Sequence, residues 1–487
     1  MKKPNIIYIL ADDLGIGDVQ CFNPERGKIP TPHLDRLARE GMMFTDCHST
    51  SAVCTPSRYS VLTGRYNWRR LEKGIVWVHG APIIDEERLT VPKFLKGNGY
   101  NTACFGKWHL GLDWGRTDNG EVDYTKPITG GPNALGFDAY FGVDAPNWAP
   151  YCWIENDHTV GIPNEKLPIT PELYWGVYTD SPAVKDWKLE DILPTLTGKA
   201  CDYIENKSKE DKPFFLYYAL TSPHSPLAVN DEWKGKSGLN LYADFVMETD
   251  ANVGRVLDTV KRCGIEDNTL VIFTSDNGCA HYIGARKLEK MGHFSSAEFR
   301  GYKADAWDGG HRIPFAVKWP ARIKPGSVCD ELACLSDLFA TCADVLDERV
   351  PDNAAEDSVS ILPLLEGKKT TVREVVVHHS FCGRFAIRKG EWKMIFCPGS
   401  GGFSEITFEQ ARMNGMAKFQ LYNIKDDVGE KRNLYGTRPD VEAELTSILQ
   451  TYIDDGRSTP GEKQKNDIKV EIVRDYYTPF DDPEDLA

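Results

Sequence analysis

In the stretch SAVCTPSRYSVLTGR, residues 51–65, a thiol stands two residues before a proline and four before a guanidinium. Thr55 reads as a helix N-cap, Pro56 as the first helical residue and Gly64 as the stop, so PSRYSVLT forms a short helix with Cys54 at its N-terminal mouth. Free amides at such a mouth favour an anion, and Arg58 lies one turn further along the same face. A tetrahedral oxyanion held near the sulfur meets amides and guanidinium together. Taken alone, the same residues describe a buried cysteine beside a well-capped helix.

Other residues add chemistry of their own. Asp12 and Asp13 are adjacent carboxylates that repel each other unless a cation neutralises them, and Asp276 with Asn277 offers two more oxygen ligands. Hard oxygen donors without thiolate or imidazole point to calcium or magnesium. Lys107 and His109, two apart, share one face if their segment is extended. His224 stands in SPHSP, where Pro223 and Pro226 fit a rigid loop.

Short apolar runs, each followed at once by polar residues, must position these groups: NIIYILADD (5–13), NTACFGKWH (101–109), PFFLYYALTSPH (213–224) and NTLVIFTSDNG (268–278). Each reads as a buried strand of a parallel sheet. Between them, TPHLDRLAREG and YADFVMETDANVGRVLDTVKRCG carry helical periodicity. The alternation predicts a doubly wound α/β fold, mostly parallel and flanked by helices. Ligands of such sheets bind beyond the carboxyl ends of the strands, where Asp12, Asp13, Lys107, His109, His224, Asp276 and Asn277 all fall. After PDNAAEDSVS (351–360) the pattern changes to short antiparallel strands in REVVVHHS, RFAIRKG and EWKMIFC, then a helix in RPDVEAELTSILQTYIDDG. The expected division is a catalytic domain over 1–371 and a smaller C-terminal α+β domain over 372–487. No internal repeat is present, and PGSGGF (398–403) is a glycine-rich loop.

Composition narrows the classes. The 487 residues are 41% hydrophobic and 26% charged, the balance of a globular protein. A net charge of −15, from 72 acidic against 57 basic side chains, argues against a nucleic-acid binder. Any anionic substrate must therefore be held by local cations. No run approaches the roughly 18 apolar residues of a membrane span, and MKKPNIIYILADD has too short an apolar core for a signal peptide. The 13 cysteines show no CxxC pair or zinc-like spacing, so buried free thiols are expected.

The opening stretch resembles the sulfatase signature of the alkaline-phosphatase superfamily, C-x-P-x-R followed by Leu-Thr-Gly-Arg, matched by Cys54, Pro56, Arg58 and LTGR at 62–65. Further matches follow in order: PNIIYILADDLGIGD, TPHLDRLAREGMMF, GKWHLG, SPHSP, SDNG, GYKADAWDGGHRIPF and LYNIKDDVGEKRNL. An ordered series carries far more weight than a lone motif. The chain is thereby identified as a member of the formylglycine-dependent type I sulfatases, arylsulfatase-like.

The resemblance implies that Cys54 is converted to formylglycine, whose hydrate is the nucleophile. It implies metal ligation by Asp12, Asp13, Asp276 and Asn277, completed by an oxygen of residue 54, with calcium the usual occupant and magnesium less so. It assigns Lys107 to sulfate binding, His109 to the formylglycine hydroxyl and the base that releases sulfate, and His224 with Lys303 to the ester and its leaving oxygen, His224 as the proton donor. It also implies a formylglycine-generating or sulfatase-maturing enzyme as a partner; relatives work outside the cytoplasm, so the chain is either periplasmic or secreted with a leader removed, or cytosolic.

Three rivals bound this reading. A cysteine-dependent phosphatase spaces cysteine and arginine more widely than the three residues found here. A phosphonate monoester or phosphodiester hydrolase of the same superfamily shares the modified residue. A non-catalytic relative would show decay of the nucleophile, metal or lysine positions, and all are present. The expected substrate is a sulfated carbohydrate, attacked from its end in glycosaminoglycan-like or other polysaccharide fragments, since an acidic surface repels a long polyanion. NWRR (67–70) and DAPNWAPYCW (144–153) are candidate rim loops with sugar-stacking faces.

Overall fold

A computed structural model of the chain describes residues 2–167, 181–404, 406 and 408–473. The four apolar runs form Asn5–Ala11 (β1), Asn101–Lys107 (β3), Phe214–Ala219 (β7) and Thr269–Ser275 (β8). Along β1, Ile6, Tyr8 and Leu10 enter one apolar cluster while Ile7, Ile9 and Ala11 enter another, the two-residue period of a pleat covered on both faces. One cluster includes Tyr59, Val61 and Leu62 of the helix Cys54–Thr63 (α2). The other includes Leu34 and Leu37 of Pro32–Glu40 (α1), Leu196 and Ala200 of Ile192–Lys207 (α3), and Val253 and Val256 of Leu241–Arg262 (α4).

With Met42–Phe44 (β2), Ala139–Val143 (β4), Trp153–Glu155 (β5), His158–Val160 (β6), Phe315–Lys318 (β9) and Ser327–Cys329 (β10), these strands make a ten-stranded sheet ordered β10-β2-β9-β8-β1-β7-β3-β4-β5-β6. The central five, β8-β1-β7-β3-β4, run parallel; β9 lies antiparallel to β8 and β2, and β5 and β6 reverse at the other edge. The fold is the doubly wound, mostly parallel α/β sheet expected. The edge strands are not legible in the sequence because runs of three to five residues carry too little periodicity to separate strand from loop.

A second sheet of four antiparallel strands, Val375–His379 (β11), Phe385–Lys389 (β12), Trp392–Ile395 (β13) and Gln420–Asn423 (β14), packs on Pro439–Asp454 (α5). Val441, Leu445, Leu449 and Ile453 fall four apart on one helix stripe and join Val377, Phe385, Ile387 and Leu421 in a core that also takes in Tyr66 and Trp68.

Two local expectations are corrected. Helix α2 begins at Cys54 with Val53 as its N-cap, so Thr55 is not the cap. The Thr55 hydroxyl instead donates to the His109 carbonyl (2.8 Å) and accepts from the Val76 amide (3.2 Å). Pro56 is tolerated because amides of the first helical turn have no intrahelical acceptor. Gly64 does end the helix, at φ 66°.

NWRR is not a rim loop. Trp68 is fully buried, stacked on Tyr66 at 5.5 Å and edge-on to Phe385 at 5.4 Å. Arg69 grips Asp357 through Nε to Oδ2 (2.9 Å) and Nη2 to Oδ1 (2.8 Å), both side chains buried. An indole packed between Tyr66 and Phe385 of β12 gains more by packing than by exposure.

Candidate active site

Register delivers the acidic groups to one point. Strands β1 and β8 pair Ala11 with Ser275, so Asp12 and Asp276 leave neighbouring strand ends together. The Asp276 amide donates to the Ala11 carbonyl (3.1 Å), the Asp13 amide to Asp276 Oδ1 (3.2 Å) and the Leu14 amide to Ser275 Oγ (3.0 Å). Asp13 takes a left-handed backbone, φ 65°. From β3, Lys107 reaches back past β7, and Gly106 beneath it sits at φ 123° where a Cβ would lie 1.7 Å from the Ala219 carbonyl oxygen.

Three carboxylates meet three cations in the interior. Lys107 Nζ donates to Asp12 Oδ1 and Oδ2 (3.0 and 2.9 Å). Arg58 directs Nε and Nη2 at Asp276 Oδ2 (2.9 and 2.7 Å), approaches Asp12 Oδ1 at 3.4 Å and donates through Nη1 to the Lys107 carbonyl (3.2 Å). Lys303 Nζ lies 2.7 Å from Asp13 Oδ2 and 3.1 Å from His224 Nε2. Burial pushes the Asp12 and Asp13 carboxyls up, but the charges of Lys107 on the first and Lys303 on the second, with His224, outweigh it and hold both low. For Asp276 burial prevails and the carboxyl is raised. Burial likewise raises the Cys54 thiol, so the sulfur is no ready thiolate.

Ligand atoms of Asp12, Asp13, Cys54 and His224 all lie within 4.8 Å of one another. Asn277 donates through Nδ2 to Asp13 Oδ1 (2.8 Å), while its buried Oδ1 has no hydrogen-bond partner. An orphaned amide oxygen among carboxylates fits a hard cation. With the six charges balanced, a divalent ion would turn the site net positive, as an anionic ester requires.

Lys107 and His109 come together by a route other than the expected extended one. Strand β3 ends at Lys107, and His109 is left-handed at φ 55°. Its Nε2 lies 3.0 Å from the Val76 carbonyl, which only accepts, so Nε2 carries the proton and the buried Nδ1 is a bare, unpartnered lone pair. Burial, then the charges of Lys107 and Arg58, pull this imidazole well below its usual range.

Cys54, His109, His224 and Lys303 open onto a cavity of about 460 Å³. Its remaining walls are Val53, Ile75, Trp77, Asn147, Trp148, Ser225, Tyr282, Phe381 and Phe403. The sequence reading had singled out Asn147 and Trp148 in a candidate rim and Phe403 in the glycine-rich loop. Trp77, Tyr282 and Phe381 carried no local signal, since each sits in an unremarkable stretch that only tertiary folding brings to the cavity.

A family model for sulfatases matches residues 4–348. The chain belongs to the sulfatase family. It is 35% identical over 486 residues to an N-acetylgalactosamine-6-O-sulfatase of Bacteroides thetaiotaomicron, covering 92% of this chain and 93% of that one. Human arylsulfatase A is 31% identical over 464 residues, covering 92% and 87%. A solved structure from work on glycosaminoglycan metabolism by Bacteroides thetaiotaomicron superposes with a TM-score of 0.81 at 34% identity, covering 93% of this chain and 99% of that one. As a sulfatase the chain is a sulfuric ester hydrolase, of a family that generally uses formylglycine and a metal ion. Among the described residues, no helix is long and apolar enough to cross a membrane.

Proposed function

We propose that this sulfatase removes sulfate from terminal sugar residues of glycosaminoglycan-like or other polysaccharide fragments, using a formylglycine made from Cys54. The observation that carries the reading is the cavity of about 460 Å³ lined by Cys54, His109, His224 and Lys303, with His109 Nδ1 unpartnered and Lys303 paired with His224. A cavity rather than a long groove favours a chain end over an internal residue. The relative at 35% identity, which is named for a sugar sulfate, supports a carbohydrate substrate.

Asp12, Asp13, Asp276 and Asn277, with an oxygen of residue 54, would hold calcium; an all-protein cage suits it better than magnesium, which keeps several waters. When bound, the ion lowers the pKa of a neighbouring hydroxyl and offsets charge on the sulfate oxygens. Formylglycine, as its hydrate, supplies two hydroxyls on one carbon, one to attack sulfur and one whose deprotonation lets sulfate go.

The side chains do the rest. Lys107 and Lys303 bind sulfate oxygens, replacing the water shell that burial removes. The sulfur–oxygen ester bond breaks as the sugar oxygen takes a proton from the pair of His224 and Lys303, the Lys303 ammonium supplying it through His224 Nε2 at 3.1 Å. His109 Nδ1 receives the proton of the remaining hydroxyl. Arg58 fixes Asp276 and Asp12 in place.

The test is sulfate release from N-acetylgalactosamine 6-sulfate against turnover of a phosphonate monoester, by protein made alongside a sulfatase-maturing enzyme and checked by mass spectrometry at residue 54. Faster turnover of the phosphonate ester would overturn the assignment.

A further inference from the structure

The cavity walls are chemically lopsided. Among the described residues that line it, every ionisable side chain other than the Tyr282 phenol is already engaged at the reaction centre: Cys54, His109, His224 and Lys303. What remains is aromatic or aliphatic, with Asn147, Ser225 and the Tyr282 hydroxyl as the polar groups. Trp77 is the one large hydrophobic lining residue left well exposed, at 38%, and its ring lies 5.5 Å from that of Trp148. Trp148 in turn meets His109 edge-on at 4.9 Å. A second aromatic pair, Phe381 with Phe403 at 4.7 Å, completes the lining.

Resting on the carbohydrate reading above, we infer that the cavity selects a sugar carrying one sulfate and no other charge, its C–H face laid on Trp77. An exposed indole at a cavity mouth offers a flat apolar face to a sugar ring. The Asn147 amide is the group available to its hydroxyl or acetamido substituents, beside a Ser225 hydroxyl that bonds the Tyr282 phenol. A second sulfate or a carboxylate on the same ring would be desolvated against this lining with no cation other than Lys303 among the described lining residues to receive it. Because Trp77 touches Trp148 and Trp148 touches His109, the stacked ring also bears on the geometry of the base.

The test uses the matured enzyme with four probes: N-acetylgalactosamine 6-sulfate, its 4,6-disulfate, glucosamine 2-N,6-O-disulfate and 4-nitrophenyl sulfate. The inference expects kcat/KM for the monosulfated sugar to exceed that for both disulfated sugars by roughly 100-fold. Trp77→Ala should raise KM for the monosulfated sugar about 10-fold, more than it lowers kcat, and Trp77→Phe should restore most of the loss. Disulfated sugars turned over as fast as the monosulfated one, or a Trp77→Ala enzyme with unchanged KM, overturn the inference and leave the carbohydrate reading standing. Turnover of 4-nitrophenyl sulfate with none of the three sugars overturns the carbohydrate reading itself.

Discussion

Arg58 and Asp276 are joined twice through one oxygen, Nε and Nη2 both reaching Oδ2, with neither side chain exposed. A buried carboxylate held this way depends on its guanidinium for both contacts to Oδ2, with the Asp13 amide alone on Oδ1. Arg58→Ala strands Asp276 and part of Asp12, and should cost about 3–5 kcal/mol of stability along with turnover. Arg58→Lys keeps the charge but not the two-pronged contact, and should fall between. Urea unfolding of the three proteins checks the order; an alanine variant as stable as the parent contradicts it.

Cys54→Ala should abolish sulfate release while circular dichroism and the unfolding midpoint stay close to the parent, because only one small buried group is lost from α2. Residual release at the parent's rate would remove residue 54 from the chemistry.

Calcium should raise the unfolding midpoint of chelator-treated protein, and calcium at a hundred times its Kd contributes about 2.7 kcal/mol. Asn277→Ala removes the orphaned oxygen and should shrink that increment. A calcium response that survives the substitution undiminished places the ion elsewhere.

His48, His311 and His378 form a second buried group, the latter two stacked at 3.6 Å. Lys393 Nζ lies 3.2 Å from His311 Nε2, and His48 Nε2 faces both Arg312 Nη1 and Asp46 Oδ1 at 2.8 Å, so ring nitrogens already engaged by side chains do not make a metal site. Burial first, then Arg388 and Lys393 against the opposing pull of Asp308, hold His48 at about 3, and burial with Lys393 and the neighbouring rings holds the other two well below the ordinary range. An unfolded chain takes up the three protons near pH 6.5 and the folded chain does not. The group therefore costs nothing above that pH and removes stability as pH falls below it, by up to about 1.4 kcal/mol per pH unit for each ring. Imidazole resonances followed by NMR from pH 8 to 5 should show none of the three titrating; one titrating near 6.5 refutes the neutral cluster.

Trp68→Ala should lower stability by about 3–5 kcal/mol, because the indole is a core group shared with Tyr66 and Phe385. Thermal unfolding of the variant separates this role from one at the substrate rim, where the change would be felt in KM alone.

The long parallel strands were legible because a chain buried on both faces must be apolar almost throughout, and NIIYILA or TLVIFTS has few other uses. The polar residues after each run marked the site for the same reason: they stand where the sheet ends. The start of α2 was misplaced because Thr55 has the side chain of a cap, yet spends it on the His109 carbonyl and Val76 amide, partners no local window contains. NWRR was misread alike, since nothing within four residues announces Asp357. Left-handed His109 was hidden because only tertiary contacts hold a non-glycine residue there.

Cys54 is 1% exposed in the first turn of a helix whose every residue is buried. Its neighbours on the cavity wall include Lys303, which leaves the ribosome on the order of 10–50 s later at ordinary elongation rates. Any enzyme that modifies this side chain must therefore reach it in the interval before the later strands close over it. Were Cys54 modified in this way, two populations would follow from one gene, one altered in time and one folded first with its thiol buried, their ratio set by the race between synthesis and folding rather than by the finished molecule.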